Sequence, residues 1–152
     1  MNDLKFRKAT SADVPAIIAL LADDVLGAER ETLSAQPAPH YYDAFRQIDA
    51  DPNQFLCVVD ADGQIVGTCQ LTFIPGLARN GAMRGQIEAV RVASSRRGEK
   101  IGEALFAWAM EHCRAQGCTI VQLTTDKART DAHRFYERLG FEPSHVGYKA
   151  KL

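Results

Sequence analysis

The sequence predicts an α/β fold, an α+β arrangement of helices on a mixed sheet, and three observations carry that expectation. Runs of β-forming residues alternate with helix-period apolar patterns along the 152 residues. A strand, a basic turn, a long amphipathic helix and a further strand follow one another from residue 86 to 125, and such a βαβ unit makes its two strands parallel. Two earlier β-rich runs flank Asp60-Ala61-Asp62-Gly63, a hairpin turn in which glycine supplies a positive φ. The length suits a single domain, 1–152, that needs neither a metal nor a disulfide to hold its core.

Taken in order, residues 4–9 read as the first strand. Thr10 and Asp13 form a helix start, and Pro15 fits a first turn, where a missing amide hydrogen costs little. Val14, Ile17, Ile18 and Leu21 then make one apolar face. Residues 23–39 are irregular, with Gly27, Pro37 and Pro39, and a second helix runs from 40 to about 50, where Asp51-Pro52 stops it. Strands follow at 54–59 and 64–73. The glycines and arginines of residues 75–85 predict a loop before a strand at 86–92. Ile101, Leu105, Trp108, Ala109 and Cys113 give a strongly periodic helix, ended by Gly117. A strand at 119–125, a helix at 130–139 stopped by Gly140, and a last strand at 146–151 complete the order β-α-α-β-β-β-α-β-α-β.

Composition excludes several classes. The formal net charge is −1, so no overall basic field points to nucleic acid or to an anionic membrane, and neither is expected as a partner. Cys57, Cys69, Cys113 and Cys118 form no Cys-x-x-Cys pair and have no accompanying histidine pair, so no metal site is expected. Reduced thiols in a reducing compartment are the expectation. No apolar run approaches the ~20 residues of a bilayer span, and residues 1–10 show no secretory signal, which together predict a cytoplasmic protein.

The most informative segment is the turn that leads from Val92 through Arg96, Arg97, Gly98, Glu99 and Lys100 into the helix at Ile101 and Gly102. A helix start exposes free amide hydrogens and the positive end of its dipole, and both favour phosphate. Gly98 and Gly102 let backbone approach a bulky anion, while Arg96, Arg97 and Lys100 add charge. The Gly-Lys-Ser/Thr ending of a triphosphate loop and the Gly-x-Gly-x-x-Gly of a dinucleotide fold are both missing. A solvated basic turn is the bland alternative.

Arg97-Gly98-Glu99-Lys100-Ile101-Gly102 resembles the Arg/Gln-x-x-Gly-x-Gly/Ala coenzyme-A motif of the GNAT acetyltransferase superfamily, with Lys100 replacing the middle glycine. Ala132-His133-Arg134-Phe135-Tyr136-Glu137-Arg138-Leu139-Gly140-Phe141 resembles the family's Ala-x-x-Phe-Tyr-x-x-x-Gly-Phe signature, one strand further on. The resemblance spans nearly the whole chain. It implies a GNAT-like fold, with the sheet splayed between two parallel strands at 86–92 and 119–125, and an N-acetyltransferase using acetyl-CoA. It further implies cofactor contacts from Val90, Arg91 and Val92, by backbone pairing with the pantetheine arm, and from Arg97, Gly98, Glu99, Lys100, Ile101 and Gly102 on the diphosphate. Arg129 stands where many relatives have an asparagine on the pantetheine arm.

The same resemblance implies Glu88 as the base, acting through water, and Tyr136 as the acid that protonates the leaving thiolate. Strict alternation would bury Glu88 with Val90 and Val92, so a β-bulge near Ala89 is expected. Pairing of Glu88 with Arg84 or Arg91, and a purely interior Tyr136, are the alternatives. The acceptor, a small-molecule or peptide amine, is expected near Asp24, Glu29, His40, Tyr41, Tyr42, Asp43, Arg79 and Arg84. A non-catalytic acyl-CoA-binding regulatory module is the rival function, and a homodimer is a family habit.

Overall fold

The computed structural model describes residues 3–152. Strands β1 (Leu4–Lys8), β2 (Gln54–Ala61), β3 (Gln64–Ile74), β4 (Met83–Val92) and β5 (Cys118–Gln122) lie in chain order in one sheet. The first four pair antiparallel, and β4 pairs parallel with β5. The helices are α1 (Val14–Ala22), α2 (Val25–Arg30), α3 (Pro39–Ala50), the single turn α4 (Ala78–Gly81), α5 (Ile101–Ala115) and α6 (Thr130–Arg138).

Local chemistry sets the early elements. The Asp13 carboxylate accepts from the Thr10 amide at 2.8 Å and from both Arg7 terminal nitrogens, at 2.8 and 3.0 Å. That closes a capping box at the entry to α1. Asp62 and Gly63 both have positive φ, 52° and 89°, which matches the twist of a two-residue hairpin between β2 and β3.

Helix α5 covers one face of the sheet. Leu105, Phe106, Ala109 and Cys113 are buried there against Cys57, Val59, Cys69, Leu71 and Ile87. Ile17 of α1 joins Ala9 and Val58 in a second cluster, which Phe45 of α3 packs against. Sheet and α5 approach closely at Gly85, where a methyl would lie 2.7 Å from Cys113 Sγ.

The structure departs from expectation in four places. Strand β4 starts at Met83, because Gly85 serves this close approach rather than a loop. The irregular stretch holds α2, whose Gly27 packs against the Leu21 carbonyl. Strand β5 ends at Gln122, where its pairing with β4 ends. Residues 146–151 form no strand, since none of the described strands pairs with them.

Candidate active site

The parallel pairing of β4 and β5 runs from Met83↔Cys118 to Gln86↔Gln122 and stops. Gln122 Nε2 donates to Gln86 Oε1 at 3.0 Å across that last position. Beyond it, residues 87–92 keep β3 as a neighbour but have no partner on the β5 side among the described residues. The sheet thus opens into a cleft between β4 and the chain that leaves β5.

A bulge sits at the mouth of the cleft. Gln70 of β3 faces Glu88, whereas Thr68 faces Arg91, so β4 carries one extra residue there. Ala89 takes that strain, with φ 53°. The bulge separates Glu88 from the core: Ile87, Val90 and Val92 pack with α5, while Glu88 is exposed. Glu88 pairs with neither suggested arginine. Arg84 Nη1 donates to Gln122 Oε1 at 3.3 Å, and Arg91 turns to Asp24.

The basic turn leaves its backbone uncommitted. The amides of Ala93, Ser94, Arg96 and Arg97 bond to Val66, Asp23, Ala93 and Ser94. The amides of residues 98–103 have no protein acceptor among the described residues. An open pocket of about 280 Å³ lies beside them, lined by Val92, Arg97, Lys100, Gly102 and Phe135 among others. Gly98 and Lys100 both sit at positive φ, 85° and 60°. Lys100 therefore keeps the backbone shape for which a glycine is suited. Arg96 and Glu99 neutralise each other, with Arg96 Nε 2.8 Å from both Glu99 oxygens. Arg97 and Lys100 form no ion pair among the described residues.

Tyr136 packs among Phe106, Phe135 and Phe141, with ring centroids 5.5, 5.7 and 6.2 Å away. Burial pushes its phenol above the usual value, against the pull of the Arg129 and Arg91 charges. The same two arginines meet at Asp24, the cap of α2. Arg129 Nη2 donates to Asp24 Oδ2 at 3.0 Å. Arg91 Nε lies 3.1 Å from the same oxygen, but misaligned, and is a buried N–H without a hydrogen-bond partner. Burial opposes ionisation of Asp24, yet the Gly27 amide, Arg91 and Arg129 together hold its carboxyl below the ordinary range. Arg30 stands nearby, 3.8 Å from Asp126.

Asp24 and Arg129 were legible as site candidates, but their meeting with Arg91 was not, and Arg30 carried no signal in its short helix. Tyr41 is engaged elsewhere, donating to Glu31 Oε1 at 3.1 Å, and α3 packs on β2 and α1. Asp43 pairs with Arg46. A larger apolar hollow of about 430 Å³ runs along α1 to Leu33 and Ile65, and it touches none of the catalytic candidates.

A sheet parted between two parallel strands, with a phosphate-suited helix start at its edge, defines a nucleotide-thioester-binding α/β enzyme. The chain belongs to the acetyltransferase (GNAT) family, whose profile matches residues 22–141, and it is an acetyl-CoA-dependent N-acetyltransferase. It is 32% identical over 148 residues to the aminoalkylphosphonate N-acetyltransferase of Salmonella typhimurium, covering 97% of this chain and 91% of that one. It is 39% identical over 79 residues to the glucosamine 6-phosphate N-acetyltransferase of Trypanosoma brucei brucei, covering 52% of each. The crystal structure of a transcriptional regulator from Bacillus halodurans C-125 superposes with a TM-score of 0.95 and 44% identity, over 99% of this chain and 100% of that one. Among the described residues, no group of three or more His, Cys, Asp or Glu side chains is placed to hold a metal, and no helix is long and apolar enough to cross a membrane.

Proposed function

We propose that this enzyme passes the acetyl group directly from acetyl-CoA to a primary amine on a small molecule that also carries a phosphonate or phosphate. The observation that carries the reading is the parting of β4 from β5 beside the uncommitted amides of residues 98–103. Those amides, with Arg97 and Lys100, suit the diphosphate. Freed backbone at Val90 and Val92 suits the pantetheine arm, as an added strand would.

Glu88, exposed at the bulge, takes the amine proton through a water. The amine nitrogen bonds to the thioester carbon, the C–S bond breaks, and the Tyr136 hydroxyl gives its proton to the departing thiolate. Burial keeps that phenol protonated at neutral pH, where a donor is required. Arg129, tied to Asp24, serves the acceptor rather than the pantetheine arm.

The anionic acceptor is supported by Arg30, Arg91 and Arg129 gathered around Asp24 and Asp126, and by the two relatives named for aminoalkylphosphonate and glucosamine 6-phosphate. The test is release of free thiol from acetyl-CoA with aminoethylphosphonate, glucosamine 6-phosphate, β-alanine and ethylamine as acceptors. The phosphorus-bearing amines should show kcat/KM at least ~tenfold above ethylamine, about 1.4 kcal/mol of discrimination. Equal rates would remove the anion from the reading. Binding of acetyl-CoA without turnover on any amine would favour a regulatory module, the reading that the name of the 44% identical structure suggests. Four buried cysteines without disulfides support a reducing, cytoplasmic setting. Self-association belongs to the same proposal.

A further inference from the structure

We propose that Gln86 and Gln70 select an acceptor that carries a hydroxyl on the carbon beside its amine. The inference rests on the proposed transfer to an amine at Glu88 and names that acceptor more narrowly. A transverse row of the sheet supports it. Gln54 of β2 pairs in register with Thr72 of β3, Thr72 with Gln86 of β4, and Gln86 with Gln122 of β5. Gln70 stands two residues along β3 from Thr72, directly opposite Glu88. All of them lie on the face away from α5, because their strand neighbours Phe55, Leu71, Ile87 and Val121 pack with α5.

This face changes character along its width. Toward α1 and α3 it is apolar, where Leu56 and Val58 pack with Ile17 and Phe45. Around Glu88 it carries carboxamides and a hydroxyl, each half-buried. These side chains hold one another in place. Gln54 Oε1 accepts from Gln70 Nε2 at 2.9 Å and from Thr72 Oγ1 at 3.1 Å. Gln86 Oε1 accepts from Gln122 Nε2 at 3.0 Å, and Gln122 Oε1 accepts from Arg84 Nη1 at 3.3 Å. A guanidinium can only donate, so Arg84 sets the sense of its chain: Gln122 turns its oxygen to Arg84 and its nitrogen to Gln86.

Two defined groups are left over. Gln86 Nε2 is a donor and Gln70 Oε1 an acceptor, neither with a protein partner among the described residues. Neither is enclosed, since Arg91 Nε is the one buried side-chain polar atom without a partner among the described residues. Gln86 lies two residues from Glu88, about 7 Å along the strand. Gln70 lies one strand away from Glu88, about 5 Å across the sheet. A hydroxyl both donates and accepts, so one hydroxyl takes the Gln86 donor and serves the Gln70 oxygen while the amine stays at Glu88. A carboxylate or phosphate cannot donate to Gln70, and a second ammonium cannot accept from Gln86. An alkyl group would leave both amide groups unpaired once water is displaced, and that loss is the discrimination.

Serinol, the 1,3-dihydroxy derivative of isopropylamine, shares that amine's carbon skeleton and differs from it only in its hydroxyls. The ratio of kcat/KM for serinol over isopropylamine should fall at least ~tenfold in Gln86→Leu, a variant of similar bulk. Comparing the ratio between wild type and variant cancels the different basicity of the two amines. An unchanged ratio would overturn the inference. A second measurement needs neither turnover nor a variant. In the CoA-bound wild-type protein, the side-chain NH2 resonance of Gln86 should shift on titration with serinol and not with isopropylamine. A resonance that ignores serinol, or that answers both amines alike, overturns the inference equally. Neither probe carries an anion, so both results are separate from the preference for phosphorus-bearing amines. If no amine releases thiol from acetyl-CoA, the transfer reading falls, and the Gln86 resonance still decides the hydroxyl.

Discussion

Replacing Gly102 by alanine separates what the fold needs from what the cofactor needs. A methyl built at residue 102 would lie 3.6 Å from the Phe135 ring and 3.9 Å from a Val92 methyl. Both are ordinary contacts, and both residues line the pocket beside the uncommitted amides, so the methyl enters that pocket without displacing the protein. Gly102 is also in the first turn of α5, where alanine is the better helix former by up to about 1 kcal/mol. Stability should therefore hold or rise, by about 2–4 °C in Tm for a domain of this size. A diphosphate in that pocket would lose close approach to amides whose charge-assisted hydrogen bonds are each worth about 1.5–3 kcal/mol. Loss of one such contact weakens CoA binding by roughly ten- to a hundredfold. Calorimetric titration with CoA and a thermal melt of the same sample measure the two effects side by side. Unchanged CoA affinity would refute the assignment of this turn to the diphosphate, and a lowered Tm would refute the packing argument.

Four further outcomes follow from single features. Lys100→Gly relieves a left-handed side-chain-bearing residue at φ 60°, so stability should rise by about 0.5–1 kcal/mol in a urea titration, while loss of its charge weakens CoA binding modestly. Tyr136→Phe should lower kcat by at least ~100-fold with CoA affinity unchanged in a titration; undiminished turnover would take Tyr136 out of the acid role. Gly85→Ala places a methyl 2.7 Å from Cys113 Sγ and 3.1 Å from its Cβ, so α5 must shift, at a cost of about 1–3 kcal/mol by urea unfolding. His112 packs against Phe55 and Trp108, with centroids 4.5 and 4.9 Å away, and burial lowers its pKa from 6.5. The unfolded chain then binds this proton more readily, so its contribution is constant above pH 6.5 and stability falls as pH drops through the folded value; His112→Phe should flatten that part of a urea-midpoint profile.

What could be read in the sequence was what neighbouring residues decide. Asp62-Gly63 fixed a turn because both positions take positive φ. The bulge at Ala89 followed from the conflict between a carboxylate and its alternation partners. Gly85 misled, because a glycine in a β-rich run signals either a loop or a close approach, and only α5 in place distinguishes them. Residues 146–151 misled for the converse reason. Their alternation is that of a strand, but a strand exists only where another edge pairs with it, and among the described residues none does.

In the proposed function, the cofactor side and the acceptor side of the cleft differ in the same way. The turn at 97–102 works through backbone shape, and shape is written locally, so that even Lys100 in place of glycine preserves the positive φ. The proposed acceptor side would draw on Asp24 at the start of α2, Arg91 on β4 and Arg129 ahead of α6, which meet in ion pairs although no spacing in the chain connects the three segments. The bulge reverses which side of β4 faces the core, so it decides that Arg91 turns away from α5 and toward Asp24. One local backbone feature therefore separates Glu88 from the core side shared by Val90 and Val92 and turns the Arg91 guanidinium toward Asp24. Straightening β4 by deleting Ala89 should abolish acceptor selectivity together with turnover, while the uncommitted amides at 98–103 continue to bind CoA in a titration. Retained acetylation by such a variant would show that the bulge does not position the base.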